Sequence, residues 1–167
     1  EDYIIGSMEL SEKTNAPIYI SGHEDVGYEY GEKIFDGDTF EVGNLKIKAI
    51  HTPGHTLGHL CYAFYHGQND NPLGVFTGDC LFMGDLGRTD FYGEENLDEM
   101  TGKLYDSIFE TLFSLGEGVL VFPAHGAGSA CGDDMEDRPF STIGYEKKNN
   151  PQLQVSSREE FIEEFGK

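Results

Sequence analysis

Leu45-Lys46-Ile47-Lys48-Ala49-Ile50-His51, running on into Thr52-Pro53-Gly54-His55-Thr56, is the stretch that decides how this chain folds. Its first half alternates apolar and polar residues, the period of a half-buried β-strand. Pro53 and Gly54 cannot continue a strand ladder, so the chain must leave the sheet in a tight loop. His55 is then presented just beyond a strand end. Upstream, residues 38–42 and the Gly43-Asn44 turn complete a hairpin with 45–51. An imidazole held on a rigid turn suits a metal ligand or a general base.

The same arrangement recurs twice downstream. The buried run 73–77 ends at Gly78-Asp79, and the run 119–123 ends at Ala124-His125-Gly126. A lone histidine after a strand is an ordinary loop residue, and a lone Gly-Asp is usually a turn. Three such positions in one small chain carry the argument. Strand-end imidazoles and a carboxylate that converge would hold a hard or borderline metal.

The remaining segments supply the scaffold. Residues 3–15 read as a short amphipathic helix, 17–21 as a strand, 22–36 as a polar connection and 57–65 as a strand. Residues 96–115 form the longest helix, with an apolar face of Leu97, Met100, Leu104, Ile108, Phe109, Leu112 and Leu115. Asn96 with Glu99 is expected to cap it. Helices are also expected at 140–149 and at 158–165, the latter introduced by Ser156 with Glu159. The result is an α/β chain forming a single domain, 1–167.

Thirty-one acidic against eleven basic residues give a formal charge of −20. Such a surface repels phosphate backbones and anionic lipid, so neither nucleic acid nor a membrane is an expected partner. No apolar run approaches the roughly 20 residues a bilayer span needs. Cys61, Cys80 and Cys131 form no CxxC pair, which fits a reducing, cytoplasmic setting better than a disulfide framework.

Taken in order, Thr52-Pro53-Gly54-His55-Thr56, Phe76-Thr77-Gly78-Asp79, Gly87-Arg88-Thr89-Asp90-Phe91 and Pro123-Ala124-His125-Gly126 resemble the metallo-β-lactamase superfamily. The Gly87–Phe91 run resembles its persulfide dioxygenase branch. The stretches 123–132 and 141–151 resemble the variant often fused to rhodanese domains. The resemblance implies an αββα sandwich with the metal at one edge. The family's first motif is His-x-His-x-Asp-His, and the opening residues are similar to its tail. Asp2 matches the motif's Asp, and Tyr3 stands at its last His. Two leading histidines would then precede residue 1, leaving the sandwich without its N-terminal strands. An exposed sheet edge would invite a homodimer.

By the same resemblance, His55 and Asp79 match metal ligands, while Asp2 and His125 match second-site positions of binuclear hydrolases. Arg88 matches a residue near the pocket that would take a substrate carboxylate. A phenol with pKa about 10 at position 3 is a poor ligand at neutral pH, which argues against two filled metal sites. One metal held by two His and a carboxylate is the facial triad of non-haem Fe(II) oxygenases. The implied activity of an intact parent is therefore mononuclear iron-dependent oxidation of a low-molecular-weight thiol persulfide by dioxygen, giving sulfite, with residues 1–167 by themselves expected to be impaired. The alternatives are a binuclear Zn(II) thioester hydrolase of the glyoxalase II kind and an inactive scaffold. His55 and Asp79 are expected to bond each other or water. His23, His51, His59 and His66 are read as structural, Cys80 as core, Cys131 as close to the pocket in a minority reading, Asp90 as an anchor for Arg88, and Asp85 as surface.

Overall fold

The computed structural model describes residues 5–130 and 134–166; Asp2, Tyr3 and Cys131 lie outside the described residues. Its frame is a six-stranded sheet in the order β3-β4-β5-β6-β7-β8. These strands are β3 (Thr39–Val42), β4 (Leu45–His51), β5 (Leu60–His66), β6 (Gly74–Gly78), β7 (Leu120–Pro123) and β8 (Ser141–Thr142). The β3–β4 hairpin forms as the alternation predicts, with Val42 opposite Leu45. Gly43 turns it at φ +58°, the first central position where a two-residue II′ turn requires glycine.

A second, two-stranded parallel sheet pairs β1 (Tyr19–Ser21) with β2 (Glu32–Ile34). The strand β2 lies inside the segment that the sequence marks as a plain connection. Its Glu32-Lys33-Ile34 composition has no apolar alternation to reveal it, and only Ile34 is buried.

Alternation along the strands sorts the core. Ile50, Cys61, Ala63, Val75 and Val121 face one side, against Leu104, Ile108, Leu112, Ile143 and Phe161 of the helices. The opposite face is covered over β3–β5, where Ala49, Leu60, Phe40 and Tyr62 pack with Tyr19 and Ile34 of the small sheet. Further along that face Phe64, Phe76, Phe122 and Phe140 form a chain of rings 5.1–6.3 Å apart. Phe76 and Phe140 are about half exposed.

The helices are α1 (Ser7–Thr14), α2 (Leu97–Asp106), α3 (Ile143–Asn149) and α4 (Arg158–Phe165). The expected 96–115 helix is α-helical only to Asp106 and continues as a π-helical stretch, Ser107–Leu112, and a 3-10 turn. Leu104, Ile108 and Leu112 all remain fully buried, so the apolar face survives the change of pitch. Asn96 does not cap α2 with its side chain; its amide donates to the Tyr92 carbonyl instead. In α4 the cap is shifted by one residue: Ser157 accepts from the Glu160 amide, and Glu160 reaches back to the Ser156 amide at 2.6 Å. The helix expected over 140–149 begins only at Ile143, because 141–142 pair with β7 and Thr142 serves as the N-cap. Among the described residues no helix is long and apolar enough to cross a membrane.

Candidate metal centre

Strand direction places the site. β4 and β6 are each antiparallel to β5, and β7 is parallel to β6. The C-terminal ends of β4, β6 and β7 therefore lie at one end of the sheet. The loops carrying His55, Asp79 and His125 leave from that end.

Asp79 and His125 meet. Gly78 pairs with Pro123, and the Ala124 amide donates to the Gly78 carbonyl at 3.0 Å. The next residue on each chain then projects to the same spot, with His125 Nε2 2.8 Å from Asp79 Oδ1. Both atoms are buried, and the contact lacks the alignment of a hydrogen bond. Two ligands in cis positions on one ion, each about 2.1 Å from it, lie about 3 Å apart, so this spacing fits donors to a cation. The sequence leads one to expect His55 as the partner of Asp79; the neighbour of its carboxylate is His125.

His55 stands on the loop that leaves β4 at the same end of the sheet and is nearly fully buried. Its Nδ1 lies 2.8 Å from the Arg88 carbonyl oxygen. A carbonyl only accepts, so Nδ1 carries the proton; in the neutral ring this leaves the lone pair on Nε2, the tautomer a metal-ligating histidine needs. Gly87 is wedged between the two loops: a Cβ there would lie 1.8 Å from the Asp79 carbonyl oxygen and 3.3 Å from His55 Nδ1. The absence of a side chain at Gly87 thus lets the Asp79 backbone and the His55 ring pack against the same loop. Gly54, at φ +149°, lets the His55 loop close onto α2, where a Cβ would stand 2.6 Å from Leu104 Cα. Ser107 donates to the Pro53 carbonyl at 2.7 Å.

Several supporting side chains have no signal in the sequence. His59, read there as structural and in a strand, lies in the loop before β5. It accepts the Asp79 amide at Nε2 (3.0 Å) and bonds Thr52 Oγ1 through Nδ1 (2.9 Å). It therefore ties the His55 loop to the Asp79 loop. Glu24 and Tyr92 make a second tie: they bond each other, Glu24 accepts the Gly58 amide and Tyr92 accepts the Leu57 amide. Behind the loop the rings of His23 and His51 stack at 3.8 Å. His51 donates to the Leu57 carbonyl, and His23 accepts the Asp36 amide. Burial, and then His51, lower the pKa of His23, against the raising pull of Asp36 and Asp38.

Arg88 makes two 2.6 Å bonds to Asp90, the anchoring expected of that aspartate, and Arg88 hydrogen bonding is what chiefly lowers the Asp90 pKa. The guanidinium also lies over Phe91, whose ring meets His55 edge-on at 4.9 Å. Cys80 is fully buried, as expected. Asp85 is buried, contrary to the surface position expected for it: its carboxylate accepts the Leu86 and Asp134 amides. The sequence missed this because a carboxylate satisfied by backbone amides loses its need for water. Among the described residues no three His, Cys, Asp or Glu side chains converge to hold an ion by themselves.

Imidazoles and a carboxylate gathered at one end of a mixed sheet, with helices on one face, define an α/β domain built around a sheet-edge site. Residues 1–125 match the family model of the metallo-beta-lactamase superfamily, and the chain belongs to that superfamily. Among curated proteins it is similar to the mitochondrial persulfide dioxygenase ETHE1 of Bos taurus (34% identical, 80% of this chain, 45% of the relative) and of Homo sapiens (33%, 80% and 45%). The chain spans about half the length of the curated relatives it matches. Among solved structures it is similar to a metallo-beta-lactamase from Staphylococcus aureus (TM-score 0.83, 33% identical, 94% of this chain and 47% of that one). It is also similar to ETHE1 from Myxococcus xanthus (TM-score 0.77, 34%, 97% and 62%).

Proposed function

We propose that this chain provides His55 and Asp79 to a mononuclear Fe(II) site that oxidises a low-molecular-weight thiol persulfide. The balanced reaction is RSSH + O2 + H2O → RSH + SO3²⁻ + 2 H⁺, with the outer sulfur losing four electrons to dioxygen. The observation that carries the reading is the fixed tautomer of His55, whose Nε2 lone pair is set by the Arg88 carbonyl, next to the Gly87 that packs on the Asp79 backbone. Similarity to two persulfide dioxygenases supports it.

Iron held there would supply open positions at which a sulfur ligand and dioxygen react. The chain's own side chains do the rest. Arg88 would exchange part of its Asp90 pairing for a carboxylate of the thiol carrier, the bidentate geometry a guanidinium favours. Phe91, against both His55 and Arg88, would shield the imidazole from water.

A second reading is favoured by one observation. Asp79 beside His125 at 2.8 Å is also what a binuclear zinc thioester hydrolase would need, with the carboxylate shared between two ions. Metal analysis and oxygen uptake separate the two. A chain that carries the first motif's two leading histidines ahead of residue 1, reconstituted anaerobically with Fe(II) and given glutathione persulfide, should consume oxygen and release sulfite with one iron bound. Two bound zincs, cleavage of lactoylglutathione and no oxygen uptake would replace this proposal with the hydrolase.

A further inference from the structure

We propose that Glu146, together with Asn150, is a positioning residue for His55, acting through the turn at residues 81–86. Both belong to the 141–151 stretch, which contributes no side chain to the site itself. Glu146 is fully buried and Asn150 nearly so. Glu146 Oε2 accepts the Gly84 amide at 2.9 Å and the Asn150 side-chain amide at 3.2 Å. Its Oε1 pairs with Arg138 at 3.1 Å. Asn150 also donates to the Asp85 carbonyl at 3.1 Å.

Two peptide groups of one turn, the amide of Gly84 and the carbonyl of Asp85, which flank the Gly84–Asp85 bond, are thus pinned from α3 and its C-cap. The turn's other ties are the Glu136 amide donating to the Met83 carbonyl at 2.8 Å, the Leu86 and Asp134 amides donating to the Asp85 carboxylate, and contacts within the turn itself. Gly84 sits at φ +74°, the Phe82 amide donates to the Asp85 carbonyl at 3.0 Å, and Leu81 bridges Leu86. Two residues past Asp85 the chain reaches Gly87, packed on the Asp79 carbonyl, and then Arg88, whose carbonyl receives His55 Nδ1–H. A shift of the turn moves that carbonyl, and with it the group that selects the imidazole tautomer. A buried carboxylate here is costly unless satisfied, and every partner it has serves this turn, its own C-cap or Arg138.

The consequence for the metal rests on His55 being a ligand, as proposed above. The test reads the imidazole itself in the metal-free chain, so an inactive enzyme would leave its result standing. In ¹⁵N NMR of the wild type, His55 should appear as the Nδ1–H tautomer with a slowly exchanging proton. Glu146→Ala and Asn150→Ala should speed that exchange at least tenfold and mix the tautomers. Glu146→Gln, which keeps an acceptor for the Gly84 amide, should restore the slow proton. Ile143→Ala, a cavity on the same helix without a bond to the turn, reports purely structural damage and should leave the signal in place. Wild-type exchange in either alanine variant, or equal loss in Ile143→Ala, would overturn the proposal. Should Glu146→Ala not fold, Asn150→Ala decides alone.

Discussion

At the scale of single residues, the site depends on contacts too close for any substitute. Gly87 is the sharpest case, because the clash a Cβ would meet is with backbone, which no rotamer change relieves. Gly87→Ala should cost about 1–3 kcal/mol in urea denaturation, the range of an overpacked interior, and should perturb the His55 imidazole signal; wild-type stability would mean the two loops are not this close. His23 gives a pH dependence. Its folded pKa lies below the ordinary imidazole value, so the unfolded chain takes up the proton first as pH falls. Stability is complete above the unfolded value of about 6.5 and declines as pH drops through it toward the folded value. The urea midpoint should therefore fall between about pH 7.5 and pH 5.5, and His23→Gln should shrink that fall. An identical slope in the variant would assign the effect elsewhere. His55, Asp79 and His125 were legible in the sequence because glycine and proline mark where strands stop. His59, Glu24 and Tyr92 were not, because they act on backbone amides of distant loops, and no local pattern encodes such a partner.

At the scale of elements, periodicity located most strands and helices, while their ends depended on side-chain bonds. The helix α4 illustrates this. Both Ser156 and Ser157 could cap it; the structure uses Ser157, with Glu160 closing the box onto Ser156. Ser157→Ala should destabilise the protein by about 1 kcal/mol, read as a lowered urea midpoint with an unchanged slope. The strand β2 stayed hidden because it is short, polar and paired on one side only. The π-helical stretch after α2 stayed hidden because a change of helical pitch that still buries Leu104, Ile108 and Leu112 leaves the apolar spacing nearly intact.

At the scale of the whole molecule, the two faces of the large sheet differ. One is sealed by helices. The other carries the small sheet over β3–β5 and, beyond it, the phenylalanine row. Phe76 and Phe140 each leave about half of the side chain open on that face, and clustered apolar surface is where a hydrophobic probe binds. The double substitution Phe76→Ser, Phe140→Ser should weaken binding of a hydrophobic dye such as anilinonaphthalene sulfonate several-fold while leaving the circular dichroism spectrum unchanged. Undiminished dye binding would place the sticky surface elsewhere. The α/β class was legible from strand and helix patterns. Which face would be covered was not, since alternation says that two faces exist but not what lies against each.

The Gly43-Asn44 tip stands at the opposite end of β4 from His51 and the loop that follows it, seven residues of strand away. That geography makes it a natural attachment point. A fluorophore coupled to a cysteine installed at residue 44, or a tether fixing the protein to a sensor chip, would leave the mouth of the candidate centre unobstructed and turned toward the bulk solution.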